Sequence, residues 1–227
     1  MTTEPEPESG PEPVTLELVH ADARVVAINK PSGMLVHRGW ARDDVVAVDL
    51  LHAQLDRRVW PIHRLDRGTS GVVLFALDAD TARELSGAFE RGEVHKRYLA
   101  LVRGHAPAEL LIDYALRKVD SDSPERQDAQ THVRRLGEFE RYSLVEARPL
   151  TGRTHQIRRH LKHIAHPIIG DVRYGKGAHN RMFRERFGLH RLALHAAELQ
   201  VGEWTLRAPL PPDLAEPFAA MDLPPDP

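Results

Sequence analysis

The chain has no cysteine, which removes disulfides and thiolate chemistry from consideration and makes a cytoplasmic location the expectation. It has no apolar run near the roughly 20 residues needed for a membrane-spanning helix. The opening MTTEPEPESGPEPV lacks the basic and apolar regions of a secretory signal. No excess of one sign marks the whole, since the formal net charge is −2. What is present fits a soluble protein with a sizeable core: 227 residues, 41% of them hydrophobic.

The charges are segregated. Six acids and no lysine or arginine fall between Met1 and Asp22. From Arg134 to Arg191 fourteen lysines and arginines face five acids, with six histidines besides. Local charge sets the field that a polyanion meets, so the second segment suggests contacts to a phosphate backbone. An ordinary solvated surface is the alternative that charge alone leaves open.

Residues 1–13, rich in Glu and Pro, read as disordered, and 14–208 as one catalytic domain. The proline-rich residues 209–227 read as a tail laid on the surface or left loose. Strand-like apolar runs occur at Leu16–Val19, Val25–Ile28, Val72–Leu77, Tyr98–Val102 and Tyr142–Ala147. Helical patterns occur around Val46–Leu55, Thr81–Arg91 and Thr154–Ala165, the second opening on capping-box spacing from Thr81 to Glu84. This irregular interspersion predicts an α+β fold, a mixed and largely antiparallel β-sheet with flanking helices.

Two constellations carry chemistry. In His63-Arg64-Leu65-Asp66-Arg67-Gly68-Thr69-Ser70-Gly71, a carboxylate sits between two arginines on a turn ahead of a buried strand. Guanidinium neighbours favour its charged form, and a rigid strand edge presents it. A structural Arg–Asp pair closing a loop is the plainer reading of that fragment alone. In Thr151-Gly152-Arg153-Thr154-His155-Gln156-Ile157-Arg158-Arg159-His160, helical phase puts Ile157, Leu161, Ile164 and Ala165 on one apolar face. Arg158 borders that face and needs an anionic partner, for which Asp66 is the candidate. His155, Arg159 and Lys162 fall on the outward polar side, suited to phosphate. Histidines 155, 160, 163 and 166 lack a metal-site spacing and predict no metal. A phosphoesterase built on them is the rival that chelation would test.

With these motifs assembled, the chain resembles the RluA-type pseudouridine synthases from about Leu16 to Leu206. NKPSG, HRLDRGTSG, KRYLA, TGRTHQIRRHL with HPIIGD, and HRLALHA occur in family order. Within the family the likeness is nearest to members acting on tRNA position 65. It is carried by Val36-His37-Arg38-Gly39-Trp40, the doubled Arg158-Arg159 and the insert Gly175–Arg181. The resemblance implies the pseudouridine synthase fold, an isomerase that flips a uridine from its stack, and catalysis by Asp66, Tyr98 and Arg158. Asp66 could stabilise positive charge at ribose C1′, attack it, or remove the C2′ proton. Tyr98 would pack on the uracil and assist loss of the C5 proton. Arg64, Arg67, Thr69, Arg153 and Gln156 are expected to contact RNA, and Leu192 and Leu194 to wall the base pocket. No cofactor is implied, the partner is RNA (tRNA, with rRNA as the alternative), and the enzyme is expected to be a monomer. A non-catalytic RNA-binding protein would not need Asp66, Tyr98 and Arg158 together.

Overall fold

The computed structural model describes residues 14–38, 45–119 and 123–224. The expected disorder of 1–13, and Gly39 and Trp40 of the proposed tRNA-branch signature, lie outside the described residues. In chain order the strands are β1 (Leu18–Ala21), β2 (Val25–Lys30), β3 (Trp60–Pro61), β4 (Ser70–Ala76), β5 (Val94–Arg103) and β6 (Glu109–Asp113). Then come β7 (Leu116–Arg117), β8 (Arg126–Gln127), β9 (Gln130–Phe139), β10 (Tyr142–Pro149), β11 (Leu194–Val201) and β12 (Trp204–Arg207). The helices are α1 (Ala47–Leu55), α2 (Ala79–Glu90), α3 (Gln156–His163), α4 (Gly177–Phe187) and α5 (Pro212–Ala219).

A ten-stranded sheet runs β1-β2-β4-β11-β5-β10-β9-β6, with β3 and β12 added beside β4 and β11, while β7 and β8 pair separately. Along that path only β4 and β11 are parallel, so the sheet is mixed and largely antiparallel as the sequence predicts. The β2–β4 half is covered on both faces. Leu51 of α1 packs with Ile28 and Phe75 on one side, and Leu85 of α2 with Ala27 and Leu74 on the other. Two-sided burial explains why Val72–Ala76 is continuously apolar rather than alternating. The β5–β10 half packs against Leu161 of α3, Phe183 of α4, and Leu214 and Phe218 of α5.

The parallel pairing of β4 and β11 joins Ser70 and Gly71 to His195 and Ala196. A Cβ on Gly71, whose φ is +116°, would lie 2.2 Å from the Ala196 carbonyl oxygen. Only glycine permits that approach, which brings β11 against the turn carrying Asp66.

Three local expectations are corrected. Helix α2 begins at Ala79 with Asp78 as N-cap, whose carboxylate accepts from the Thr81 backbone N–H at 2.8 Å; Thr81 is inside the first turn. Helix α3 begins at Gln156, not Thr154, because His155 has left-handed backbone (φ +55°). It ends at His163, so Ala165 is exposed rather than on the apolar face. The proline-rich end is no loose tail through its described length: α5 and the residues just after it place Leu214, Phe218, Met221 and Leu223 at 4% exposure or less. Its prolines mark the helix start at Pro212 and sit buried inside it at Pro217.

Candidate active site

A cavity of about 400 Å³ opens where the turn before β4, the middle of β5 and the entry to α3 meet. That is within the roughly 300–1,000 Å³ of small-ligand sites. Asp66, Tyr98 and Arg158, separated by up to 92 positions in sequence, all line it. Arg158 Nη1 donates to Asp66 Oδ2 at 2.9 Å, so the partner predicted from helix phase is the one observed. The arginines flanking Asp66 in sequence go elsewhere: Arg64 is exposed at the cavity mouth, and Arg67 Nε donates to the Gly33 carbonyl.

Arg158 has a second anion that the sequence reading did not assign. Its Nε and Nη2 donate to both carboxylate oxygens of Asp171 at 2.8 and 3.0 Å, a two-pronged grip. Asp171 is 2% exposed and also accepts from the backbone N–H groups of Arg173 and Tyr174. Burial by itself would raise its pKa; the Arg158 and backbone hydrogen bonds outweigh burial and hold it below the usual carboxylate value. Asn180 of α4 fixes the turn from behind, accepting from Gly170 N and donating to the Asp171 carbonyl. Gly170 (φ +79°) must be glycine, since a Cβ would lie 1.8 Å from the Arg191 carbonyl oxygen. Tyr174 completes the frame: its ring lies 5.1 Å from the Arg158 guanidinium carbon.

His155 is not outward-facing. Its Nε2 is 3.8 Å from Asp66 Oδ1 and its Nδ1 is 3.0 Å from the Tyr174 hydroxyl. Burial lowers its pKa, and the nearby Arg158 and Arg173 add to this against the pull of Asp66 and Asp171, so the neutral ring is favoured at pH 7. The left-handed conformation is uncommon for a non-glycine residue. Here it turns the imidazole into the cavity as α3 starts.

Gln156 lines the cavity, but its amide is committed to the protein. Its Oε1 accepts from Thr151 Oγ1 and Arg153 N, and its Nε2 donates to Gln130 O and Thr131 Oγ1. It fastens the loop. Arg153 lines the cavity while donating to the Asp128 carbonyl. Thr69 is buried in the wall, its N–H closing the Asp66 turn at 3.0 Å. Leu194 walls the cavity; Leu192 does not, and packs instead against Gly68. Arg159 and Lys162 lie outside it, Arg159 donating to the Arg117 carbonyl and Lys162 exposed near the Tyr174 ring. The four histidines are dispersed. His160 is wholly buried against Thr131 and the Tyr114 carbonyl, His163 stacks on Tyr114, and His166 pairs with the Arg103 carbonyl.

Tyr98 is half-buried, and among the described residues none is hydrogen-bonded to its hydroxyl. Burial, then the Asp66 charge, push its pKa above the ordinary phenol value, so the free enzyme holds a neutral phenol. Beneath the Asp66 turn lies a lysine that the sequence reading passed over. Lys30 is fully buried, and its ammonium donates to the carbonyls of Pro31, Met34 and Arg67. Burial and then Arg191 pull its pKa down to about 7, with Asp66 opposing. Arg191 in turn donates to Ser70 Oγ and Asp213, leaving the Ser70 hydroxyl to donate to His195 Nδ1. The turn, β11 and α5 are thus tied through one polar chain.

The sequence model of the RNA pseudouridylate synthase family matches residues 24–163, a span that contains Asp66, Tyr98 and Arg158 and stops before Asp171. The chain is 43% identical over 209 residues to "tRNA pseudouridine synthase C" of Vibrio parahaemolyticus, covering 83% of this chain and 85% of that protein. It is 44% identical over 201 residues to the protein of the same name from Haemophilus ducreyi, covering 80% and 83%. Among solved structures, "Human RNA Pseudouridylate Synthase Domain Containing 4" superposes with a TM-score of 0.78 at 26% identity, over 92% of this chain and 94% of that one. No helix among the described residues is long and apolar enough to cross a membrane. With the family model covering most of the chain and the fold shared nearly end to end, the chain belongs to the RNA pseudouridylate synthase family.

Proposed function

We propose that the cavity receives one uridine of a tRNA, flipped out of its stack, with Asp66 at the ribose and Tyr98 against the uracil. The observation that carries this reading is the convergence of Asp66, the Arg158 guanidinium and a neutral Tyr98 on one cavity of nucleoside size. A pseudouridine synthase is an isomerase: the C1′–N1 bond breaks, a C1′–C5 bond forms, and the C5 proton is lost as N1 gains one. Nothing is oxidised or reduced in that balance.

Positive character develops at C1′ as the glycosidic bond breaks, as in glycoside hydrolysis. A fixed carboxylate beside C1′ is suited to stabilise that charge, to attack the carbon, or to take the C2′ proton. Arg158 keeps the carboxylate in place in all three cases, and Asp171 keeps Arg158. Tyr98 as a neutral phenol offers its ring face to uracil and its hydroxyl to the C5 region. It accepts a proton only if another group takes its own. His155, with its neutral ring favoured, lines the same cavity 3.8 Å from Asp66.

Extruding a base costs a few kcal/mol, which contacts to the surrounding backbone must offset. In this reading Arg64 at the cavity mouth, with Arg159 and Lys162 outside it, supplies the charge for those contacts. The tRNA substrate is supported by the names of the relatives at 43–44% identity. The position-65 uridine, the monomeric state and the cytoplasmic location are further parts of this proposal. Mapping pseudouridines in tRNA and rRNA from cells lacking the protein tests it. Loss at one tRNA uridine, restored by the wild-type chain and not by Asp66→Asn, is the expected result. Loss confined to rRNA would move the substrate to the ribosome.

A further inference from the structure

We infer that Lys96 is the anchor for a backbone phosphate flanking the flipped uridine, an assignment that rests on the reading of the cavity above. Lys96 lies two residues before Tyr98 on β5, and both line the catalytic cavity. Two residues along a strand are roughly 6.8 Å apart. That is the scale separating a nucleotide's base and sugar from its own phosphates.

Lys96 also lines a second, larger groove of about 600 Å³ that crosses the sheet towards Leu111 and Leu150. It therefore stands at the seam where an RNA strand would leave the catalytic cavity. Most other cations at these two openings are already engaged. Arg158 is held by Asp66 and Asp171, and Arg153 by the Asp128 carbonyl. Around the groove Arg148 and Arg134 converge on Glu146, and His132 pairs with Glu109.

Lys96 differs. Among the described residues it has no hydrogen-bonded or ion-paired partner, although it is half-buried. Burial alone displaces its pKa downward, with no carboxylate pulling the other way. Its charge in turn adds to the burial that keeps His63 neutral, consistent with His63 Nε2 accepting from the Leu74 N–H. A half-buried ammonium without an anion is costly in the free protein. An incoming phosphate removes that cost, and a compact ammonium serves as a point charge for it. Arg64, another cation of the cavity lining with no ion-paired partner among the described residues, is exposed and hydrated, so an anion relieves less there.

The test uses whichever transcript, tRNA or rRNA fragment, the wild-type enzyme converts. A neutral methylphosphonate is placed in turn at the two phosphates flanking the converted uridine. Affinity as a function of salt and the single-turnover rate are read for wild type, Lys96→Gln and Lys96→Arg. At one of the two positions the methylphosphonate should weaken wild-type binding about tenfold and leave Lys96→Gln unaffected. The Lys96→Gln log–log salt slope should fall by about 0.7 for one single-strand phosphate lost, and Lys96→Arg should restore it. An unchanged slope in Lys96→Gln, or methylphosphonate penalties equal in both proteins at both positions, overturns the assignment. Conversion of rRNA rather than tRNA would refute the tRNA substrate while leaving this measurement intact.

Discussion

Replacing Asp171 by Asn isolates what the second anion does for Arg158. The change keeps the shape but removes a charge, and it puts an N–H₂ where one of two oxygens accepts from Arg158 at 2.8 and 3.0 Å. Breaking a buried ion pair costs about 3–5 kcal/mol. Arg158 keeps Asp66 at 2.9 Å, and one side-chain oxygen still accepts, so a cost near the lower end, about 3 kcal/mol, is expected. For a chain of this size that lowers Tm by roughly 6–12 °C. The sign with pH follows from the depressed pKa of Asp171 in the fold. Its contribution is fully present above the unfolded carboxylate value, near about 4, and is lost as pH falls through the lower folded value. The wild-type advantage over Asp171→Asn should thus be constant from pH 5 to 8 and shrink only in strong acid. Because Arg158 is then held at position 171 by one hydrogen bond instead of two, Asp66 is less tightly aligned and the single-turnover rate should fall about 10- to 100-fold, as for modest misplacement of a reacting group. The measurements are thermal melts across pH and single-turnover conversion of the RNA. A variant melting within 2 °C of wild type, with its full rate, would show that Asp171 is a bystander.

Other outcomes follow from the same geometry. Asp66→Asn should abolish turnover while leaving RNA affinity within about threefold, since affinity comes mainly from phosphate contacts; measurable conversion by a sequence-verified preparation would remove Asp66 from the chemistry. Tyr98→Phe keeps the ring and loses only the hydroxyl, so RNA should bind normally and stall, by roughly 100-fold or more in single-turnover rate for a lost proton-transfer group. Arg159→Ala, outside the cavity, should leave rate and Tm near wild type and reduce the salt slope by about one; a loss of rate instead would place Arg159 in the site. Phe218→Ala, in the fully buried face of α5, should cost about 3–5 kcal/mol, read in a urea melt; little change would return the C-terminal segment to the status of a tail.

Sequence reasoning recovered what local pattern encodes. The apolar run at Val72–Ala76 read as a buried strand because both of its faces are covered. Helical phase at Ile157 and Leu161 sent Arg158 inward, and the Asp66 pairing followed from the need to neutralise a buried guanidinium. What it missed depends on long-range closure. Asp171 stands on a turn with no periodicity of its own, and becomes an anion for Arg158 only when Asn180 of α4 pins that turn. The charged strand β9, QTHVRRLGEF, carries too few apolar residues to show alternation, yet pairs with β10 and β6. Gln156 reads as an RNA contact only from its place in the TGRTHQIRRHL motif. Its four hydrogen bonds become visible only once Gln130 and Thr131 arrive from β9.

The same closure explains why His155 was misplaced. An ideal helix drawn back to Thr154 turns that ring outward, whereas the left-handed step at His155 delays the helix start to Gln156 and swings the ring towards Asp66. Such a step costs of order 1 kcal/mol for a non-glycine residue and persists only where its surroundings over-determine it. Here Tyr174 grips the ring from one side and the four bonds of Gln156 anchor the next residue. The strain is therefore a property of the assembled site. Substituting His155 by Gly should relieve it while removing the imidazole: Tm would hold or rise and the single-turnover rate would fall. A fall in both would mean that the imidazole contacts, and not the backbone conformation, dominate the local stability.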